Sequence, residues 1–285
     1  MYPPKFDYYR ANSVAEAISL LGQHDGAKLL AGGHSLIPTM NLRLADPGVL
    51  IDIGRIGGLK GISNSGGTVR IGALTTHAMI AASSEVPTVL SEAAGWIGDP
   101  QVRNRGTIGG NISHADPASD LPTVLVALGA TLHITGAGGE RTVSAGDFFT
   151  GLFETDLAEG EIVTAIEVGV EKASTGSAYV KLFNPASRYA MVGVAAVVTV
   201  SGGKCTSASV ALGGMVPSAT KLPSVEAALV GNALDEAALT AAAAAVSADW
   251  GEDVLGDIHA SIQYRQAMAP VYVKRALQKA AERAG

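Results

Sequence analysis

The sequence predicts an α+β protein built in three modules, at about residues 1–56, 57–173 and 174–285. Three observations predict it. A helix-period stretch sits between short apolar runs in the first module, and a strand-rich block with its own hairpin and helices makes the second. After a polar, small-residue linker at Glu171–Gly176, three long strand-like runs are followed only by helices.

Asn12 or Ser13 is placed to cap a helix carrying Val14, Ala17, Ile18 and Leu21, which Gly22 and Gly26 end. Lys28-Leu29-Leu30 is a short strand, and Val49–Ile53 a second one that closes the first module. Asn64-Ser65-Gly66-Gly67 is a turn before a β-rich stretch, Thr68–Leu74. Thr76 heads a helix, Val89–Trp96 is another, and Pro122–Leu128 is a buried one. Ala130–Thr135 and Arg141–Ser144 form a hairpin through Gly136–Gly139, and Ile162–Val168 is the last strand of this module. Ala178–Leu182, Val192–Val200 and Cys205–Leu212 are strands, the last two joined by the tight turn Ser201-Gly202-Gly203-Lys204. Helices are expected at Val225–Val230, Asp235–Ala248 and roughly Ile262–Arg283, the last kinked or broken at Pro270.

Hydrophobic residues make up 47% and charged residues 16% of the 285, a charge-poor surface that fits coverage by partner subunits as well as ordinary variation. The net charge of -6 gives no general attraction to nucleic acid. The apolar runs Leu121–Ala130 and Val192–Val200 fall short of the ~20 residues that span a bilayer. The start of the chain reads as neither a secretory nor a twin-arginine signal, so a cytoplasmic location is expected. One cysteine, Cys205, leaves no internal disulfide and no thiolate ligand set for an iron–sulfur cluster. The six histidines are scattered and form no metal-ligand pattern, so none, His34 and His114 included, is assigned to a metal.

Two glycine loops carry the chemistry. Leu29-Leu30-Ala31-Gly32-Gly33-His34-Ser35-Leu36 delivers a strand into two glycines and a hydroxyl; Gly106-Thr107-Ile108-Gly109-Gly110-Asn111 repeats the pattern with a hydroxyl, two glycines and an amide. Glycine lets the main chain approach a ligand and adopt positive φ, and successive N–H groups there hold an anion. Two such loops suit a diphosphate gripped from both sides. Each reads equally as an ordinary tight turn in a chain with 35 glycines, and no dinucleotide fingerprint or Walker loop is present. The residues alone support an anionic ligand.

These two loops, with Asp116-Pro117-Ala118-Ser119-Asp120-Leu121-Pro122 following in order, resemble the FAD-binding medium subunits of the molybdenum hydroxylases, the xanthine dehydrogenase family. Within it, the loop sequences most resemble those of aerobic carbon monoxide dehydrogenases. The resemblance covers the whole chain. It implies a two-subdomain FAD-binding fold of the vanillyl-alcohol-oxidase (PCMH) type, at 1–56 and 57–173, plus a C-terminal α+β flavoprotein domain at 174–285. Leu29 to Leu36 and Gly106 to Asn111 match the diphosphate loops. Asp120 matches a carboxylate on the flavin's ribityl or nearby hydroxyls, its alternative being a helix N-cap. Ser113, His114, Ile97, Gly98, Ala73, Ile162 and Val163 match cofactor contacts, Val163 being smaller than the residue in some relatives. Trp96 is expected to pack in the core. Lys181 matches a lysine near the flavin ring, with a solvated strand-edge lysine as the alternative. Tyr189 matches a tyrosine against one flavin face, although Arg188 replaces the usual acidic residue and Asn184-Pro185 a basic run.

The resemblance further implies an electron-transfer role. Substrate is oxidised at molybdenum in a large subunit, electrons cross two [2Fe–2S] clusters in a small subunit, and the FAD held here passes them to an external acceptor such as a quinone. A dimer of heterotrimers and association with a membrane through partners are expected with it. The alternatives are the medium subunit of a hydroxylase acting on a small organic or N-heterocyclic substrate, a stand-alone flavin oxidoreductase, and a non-catalytic nucleotide-binding protein. No acid–base constellation in the sequence marks a substrate pocket of its own.

Overall fold

The computed structural model describes residues 2–285 and is α+β throughout. Its first unit is β1 (Asp7–Arg10), α1 (Val14–Gln23), β2 (Lys28–Leu30), α2 (Leu36–Asn41) and β3 (Val49–Asp52), a parallel sheet in the order β1-β3-β2. Ser13, not Asn12, caps α1: its hydroxyl accepts from the Glu16 N–H, and the Glu16 carboxylate reaches back to the Asn12 N–H at 2.8 Å. Ala17 of α1 is buried against Ile51, Ile53, Ile56 and Leu59.

The second unit opens with β4 (Ile62–Ser65) and β5 (Thr68–Gly72). Five helices follow: α3 (His77–Ala81), α4 (Thr88–Trp96), α5 (Pro100–Arg105), α6 (Ile108–His114) and α7 (Asp120–Leu128). Then come β6 (Thr131–Gly136), β7 (Gly139–Ser144), α8 (Ala145–Phe148), a small hairpin of β8 (Phe149–Gly151) with β9 (Glu154–Thr155), and β10 (Ile162–Gly169). The main sheet is antiparallel in the order β4-β5-β10-β6-β7, so the last strand in sequence lies at its centre.

The third unit is an antiparallel sheet of β11 (Thr175–Phe183), β12 (Ala190–Ser201), β13 (Lys204–Gly213) and β14 (Thr220–Lys221). It is followed by α9 (Pro223–Leu229), α10 (Glu236–Ala244), a 3₁₀ turn at Ala245–Ala248, and α11 (Ile262–Ala284).

The layering follows from which helices are apolar all round. Asp120 to Ala127 of α7 are all buried, because its neighbours close on it from both sides. Together α4 and α7 fill the space between the two large sheets, where Leu90, Leu121 and Leu125 meet Ile71, Ile134 and Ile166 on one side and Tyr179, Ala195 and Ala211 on the other. Each large apolar side chain so buried contributes ~1.5–3 kcal/mol. The far face of the four-stranded sheet packs on α9 and α11, and α10 packs in turn on those two helices. This double-sided packing presses the third unit against the helices that line the cleft described below.

Three expectations are corrected. Of the kink or break expected at Pro270, the break does not occur, since Ile262–Ala284 is one helix. Val273, Ala276, Leu277 and Ala280 beyond the proline are buried against the sheet, and this packing holds the helix together across the missing N–H. Thr175 and Gly176 belong to β11 and not to a linker; a Cβ on Gly176 would overlap the Ala280 carbonyl of α11. The helix expected at Asp235–Ala248 ends at Ala244 and tightens into the 3₁₀ turn. No helix of the described residues is long and apolar enough to cross a membrane.

Candidate functional site

A cleft of about 930 Å³ runs between the first unit and the second, at the upper end of the ~300–1,000 Å³ usual for ligand sites. One wall is the β2–α2 segment, the other is α6 with the start of α7, and the third unit reaches it only through Ser187, Arg188 and Tyr189.

The first glycine loop leaves β2 at Leu30 and enters α2 at Leu36. Gly33 has φ +73°, a conformation that a side chain would strain. Gly32 is fixed by proximity: a Cβ there would overlap the Arg105 carbonyl oxygen and come within 3.0 Å of the Gly106 Cα. The two loops therefore meet backbone to backbone. Among the described residues, the N–H groups of Gly32, Gly33, His34 and Ser35 have no protein acceptor, although all four residues line the cleft. Such a run of open donors is what an anion requires and what an empty turn would leave to water.

The second loop is built differently from the first. Thr107 is the N-cap of α6, its hydroxyl accepting from the Gly110 N–H at 3.2 Å, while the Gly109 N–H donates to the Ala73 carbonyl. Its donors are thus largely spent inside the protein. What it offers the cleft is the side chain of Asn111. Ser119 donates to Asn111 Oδ1 at 2.8 Å, which turns the amide hydrogens away from that contact with no protein acceptor to receive them. Gly109 is needed for packing, since a Cβ would stand 2.6 Å from Ala73 Cβ.

Asp120 is the first residue of α7, so the cap position falls to Ser119 and not to the aspartate. Its carboxylate is 4% exposed and accepts from Tyr179 Oη at 2.6 Å and Lys181 Nζ at 2.8 Å. Lys181 is neither a solvated edge lysine nor part of the cleft wall. Its ammonium is buried and also donates to the carbonyls of Trp96 (3.2 Å) and Arg188 (2.6 Å). Burial pushes the Asp120 carboxyl up and the Lys181 ammonium down, and the contact between them opposes both shifts. The Tyr179 phenol is held far above its ordinary value by burial and then by Asp120, so it remains a donor. Three elements, α4, α7 and the β11–β12 loop, are tied through one lysine.

The remaining expected residues fall around this frame. Ala73, Gly98, Gly106, Ser113, His114, Ile162, Val163, Ile97 and Tyr189 line the cleft. A register shift in β10 between Val163 and Ala165 turns this end of the strand, and Thr164 there accepts the Ala73 N–H at 3.0 Å. Arg103 clamps the Ile97 and Gly98 carbonyls at 2.9 and 3.2 Å. Tyr189 ends a loop folded about Asn184, whose side-chain oxygen accepts from the N–H groups of Ala186 and Ser187. Burial raises the Tyr189 phenol, and Asp116 and Asp120 raise it further.

Two expected residues stand off the wall: Lys181, spent on Asp120, and Ile108, which is fully buried in the core beneath α6. Trp96 is corrected outright. It is 39% exposed and pairs with Phe183 at 5.8 Å, because α4 ends there at the surface. The sequence reading missed two residues. Tyr179 was signalled by its position two before Lys181, which puts both on one face of a strand. His77 lines the cleft, 3% exposed, and only the Thr76 cap before it gave any sign.

The open N–H groups of the first loop, the Asn111 amide and a cleft of dinucleotide scale fit a diphosphate-bearing cofactor. Among the described residues no cluster of histidine, cysteine, aspartate and glutamate is arranged to hold a metal.

Comparison with known proteins accords with this geometry. The model of the FAD-binding domain in molybdopterin dehydrogenases matches residues 4–170, and that of the CO dehydrogenase flavoprotein C-terminal domain matches residues 177–280. The chain is similar to the carbon monoxide dehydrogenase medium chain of Hydrogenophaga pseudoflava, at 44% identity over 98% of each chain. It is similar to that of Afipia carboxidovorans at 41% identity, over 100% of this chain and 99% of the relative. A solved structure of the Hydrogenophaga pseudoflava carbon monoxide dehydrogenase, lacking the Mo-pyranopterin moiety, superposes with a TM-score of 0.95 at 44% identity over 99% of each chain.

Proposed function

This chain belongs to the FAD-binding family of the molybdopterin dehydrogenases, and we propose that it is the FAD-carrying electron-transfer subunit of a molybdenum hydroxylase complex of the carbon monoxide dehydrogenase type. The observation that carries the reading is the cleft itself: a loop of four unpaired N–H groups faces the head of α6, with no thiolate cluster ligands in a chain of one cysteine. A flavoprotein subunit of an oxidoreductase needs this much and no more, since the clusters and molybdenum reside in partner chains.

When bound, FAD supplies a centre that accepts electrons one at a time and releases two to an acceptor. The protein's part is to bind and orient. Gly32, Gly33, His34 and Ser35 hold one side of the diphosphate through main-chain N–H groups, and the Asn111 side chain holds the other. Ala73, Ile97, Gly98, Ile162 and Val163 supply the apolar walls, with Ser113 and His114 beyond the second loop. Asp120, held by Tyr179 and Lys181, presents a fixed acceptor for cofactor hydroxyls. Tyr189, on a loop anchored by Lys181, covers the end of the cleft nearest the third unit. Lys181 itself acts through Asp120 and the Arg188 carbonyl, being out of reach of the cleft.

The partners are a large molybdenum-binding subunit and a small [2Fe–2S] subunit in a dimer of heterotrimers, with an external acceptor such as a quinone. The complex is cytoplasmic and meets the membrane through those partners. The stand-alone flavin oxidoreductase is the weaker reading, since the full-length relatives at 41–44% identity are medium chains of carbon monoxide dehydrogenases. Isolation of the tagged chain with its partners tests the proposal. Two further polypeptides, one with molybdenum and one with iron and acid-labile sulfide, are expected with one FAD per chain. A chain purified alone and free of flavin, from cells making all three subunits, would contradict it.

A further inference from the structure

His77 stands where the two glycine loops meet, and neither loop makes a hydrogen bond to its ring. It opens α3 directly after the Thr76 cap, and its N–H donates to the Gly106 carbonyl at 3.0 Å. That bond, beside the bridge between Thr76 and Thr107, brings the ring under the second loop. A Cβ on Gly106 would lie 2.7 Å from His77 Cδ2 and 2.8 Å from Nε2, so only a glycine lets the ring stand this close to the second loop, and Nε2, unlike Nδ1, is not a sealed atom. The other edge is sealed. Nδ1 is buried and has no hydrogen-bond partner.

This asymmetry assigns the proton. Burial, and after it the nearby His34, holds the imidazole down at about 4, so near neutral pH the ring carries one N–H and one lone pair. A buried N–H without an acceptor is rarer in folded proteins than an unsatisfied acceptor. The lone pair therefore belongs on the sealed Nδ1 and the N–H on Nε2, at the edge that meets the cleft. The residue is 3% exposed and lines the cleft, and among the described residues the His77 ring makes no hydrogen bond within the protein.

We propose that His77 is a cofactor-holding residue, its Nε2–H donating to an oxygen of the diphosphate at the junction of the two glycine loops. The inference rests on the reading of the cleft as the FAD site. It adds a side-chain donor from a third segment, α3, to the main-chain donors of Gly32–Ser35 and the amide of Asn111. An imidazole buried to this degree is pre-positioned, so little side-chain freedom is lost when the anion arrives.

The test compares FAD retention in the assembled complex carrying wild-type chain, His77→Phe or His77→Gln, by measuring released flavin against dilution. The Phe variant is expected to bind FAD about tenfold more weakly, and the Gln variant, which keeps an N–H donor, within about twofold of wild type. Equal retention by the Phe variant, or equal loss in both, overturns the inference. Nitrogen-15 labelling of the histidine rings in the full chain adds a readout that does not depend on substitution. The Nε2–H tautomer is expected, with its signal displaced on addition of ADP as a diphosphate probe; an Nδ1–H tautomer overturns the inference. If ADP displaces the amides of Gly32–Ser35 but not the His77 ring, the cleft reading stands and the His77 inference falls. If neither moves, both fall.

Discussion

Acid should weaken this protein through His77 before it reaches the carboxylates. The imidazole titrates at about 4 in the folded chain, against an ordinary 6.5, with burial as the first cause and His34 as the second. Between those values the unfolded chain takes up a proton that the folded chain refuses. Stability therefore rises with pH across this window and is lost as pH falls from 6.5 toward 4. At ~1.36 kcal/mol per pH unit the gap comes to about 3 kcal/mol, a large share of the ~5–15 kcal/mol by which a domain is stable. The assay is urea unfolding of the flavin-free chain and of His77→Gln at several pH values from 7 to 4. The variant is expected to be less stable at pH 7, where it replaces a well-packed ring, and to lose about 3 kcal/mol less than wild type on the way to pH 4. Parallel pH profiles for the two proteins would refute the reasoning, because they would mean that the buried ring takes its proton as easily in the folded state as in the unfolded one.

Other outcomes follow from the same contacts. Gly32→Ala should cost ~1–3 kcal/mol in chemical unfolding and strip the chain of flavin, because its Cβ overlaps the Arg105 carbonyl and drives the loops apart. Wild-type flavin content in that variant would mean the loops do not act together. Lys181→Met should destabilise by ~3–5 kcal/mol, since it leaves the Asp120 carboxylate buried without its cation, whereas Lys181→Met combined with Asp120→Leu should recover most of the loss. A double variant as weak as the sum of the singles would show that the two do not pair. Gly33→Val should cost ~1–3 kcal/mol through its φ of +73°, measured as a lowered urea midpoint with unchanged slope.

The parts of this molecule legible in the sequence are those where local chemistry and packing agree. Ser13 before an apolar helical repeat predicted α1, and the β6–β7 and β12–β13 hairpins were marked by glycine pairs between alternating runs. β1 left no trace because all four of its side chains are exposed and show no alternation. The short helix α5 carries a readable signal, Asp99 as cap with Pro100 in the first turn, but at six residues it has too little periodicity to stand out between its neighbours. In the site, the glycines announced close approach but not what they approach. Gly32 and Gly109 meet other backbone, while the run of four open main-chain donors lies on the first loop. Lys181 and Asp120 were identified separately by resemblance. That they form one buried pair depends on the packing of the third unit against α7, which no local pattern encodes.

The central claim is that electrons reach the flavin of this chain from partner subunits and not from a substrate bound over it. Anaerobic addition of carbon monoxide to the assembled complex and to the FAD-loaded chain alone tests it most directly, with the flavin absorption as the readout. Bleaching in the complex with no change in the isolated chain is the expected result. Direct reduction of the isolated chain by carbon monoxide or by a small organic substrate would contradict the account.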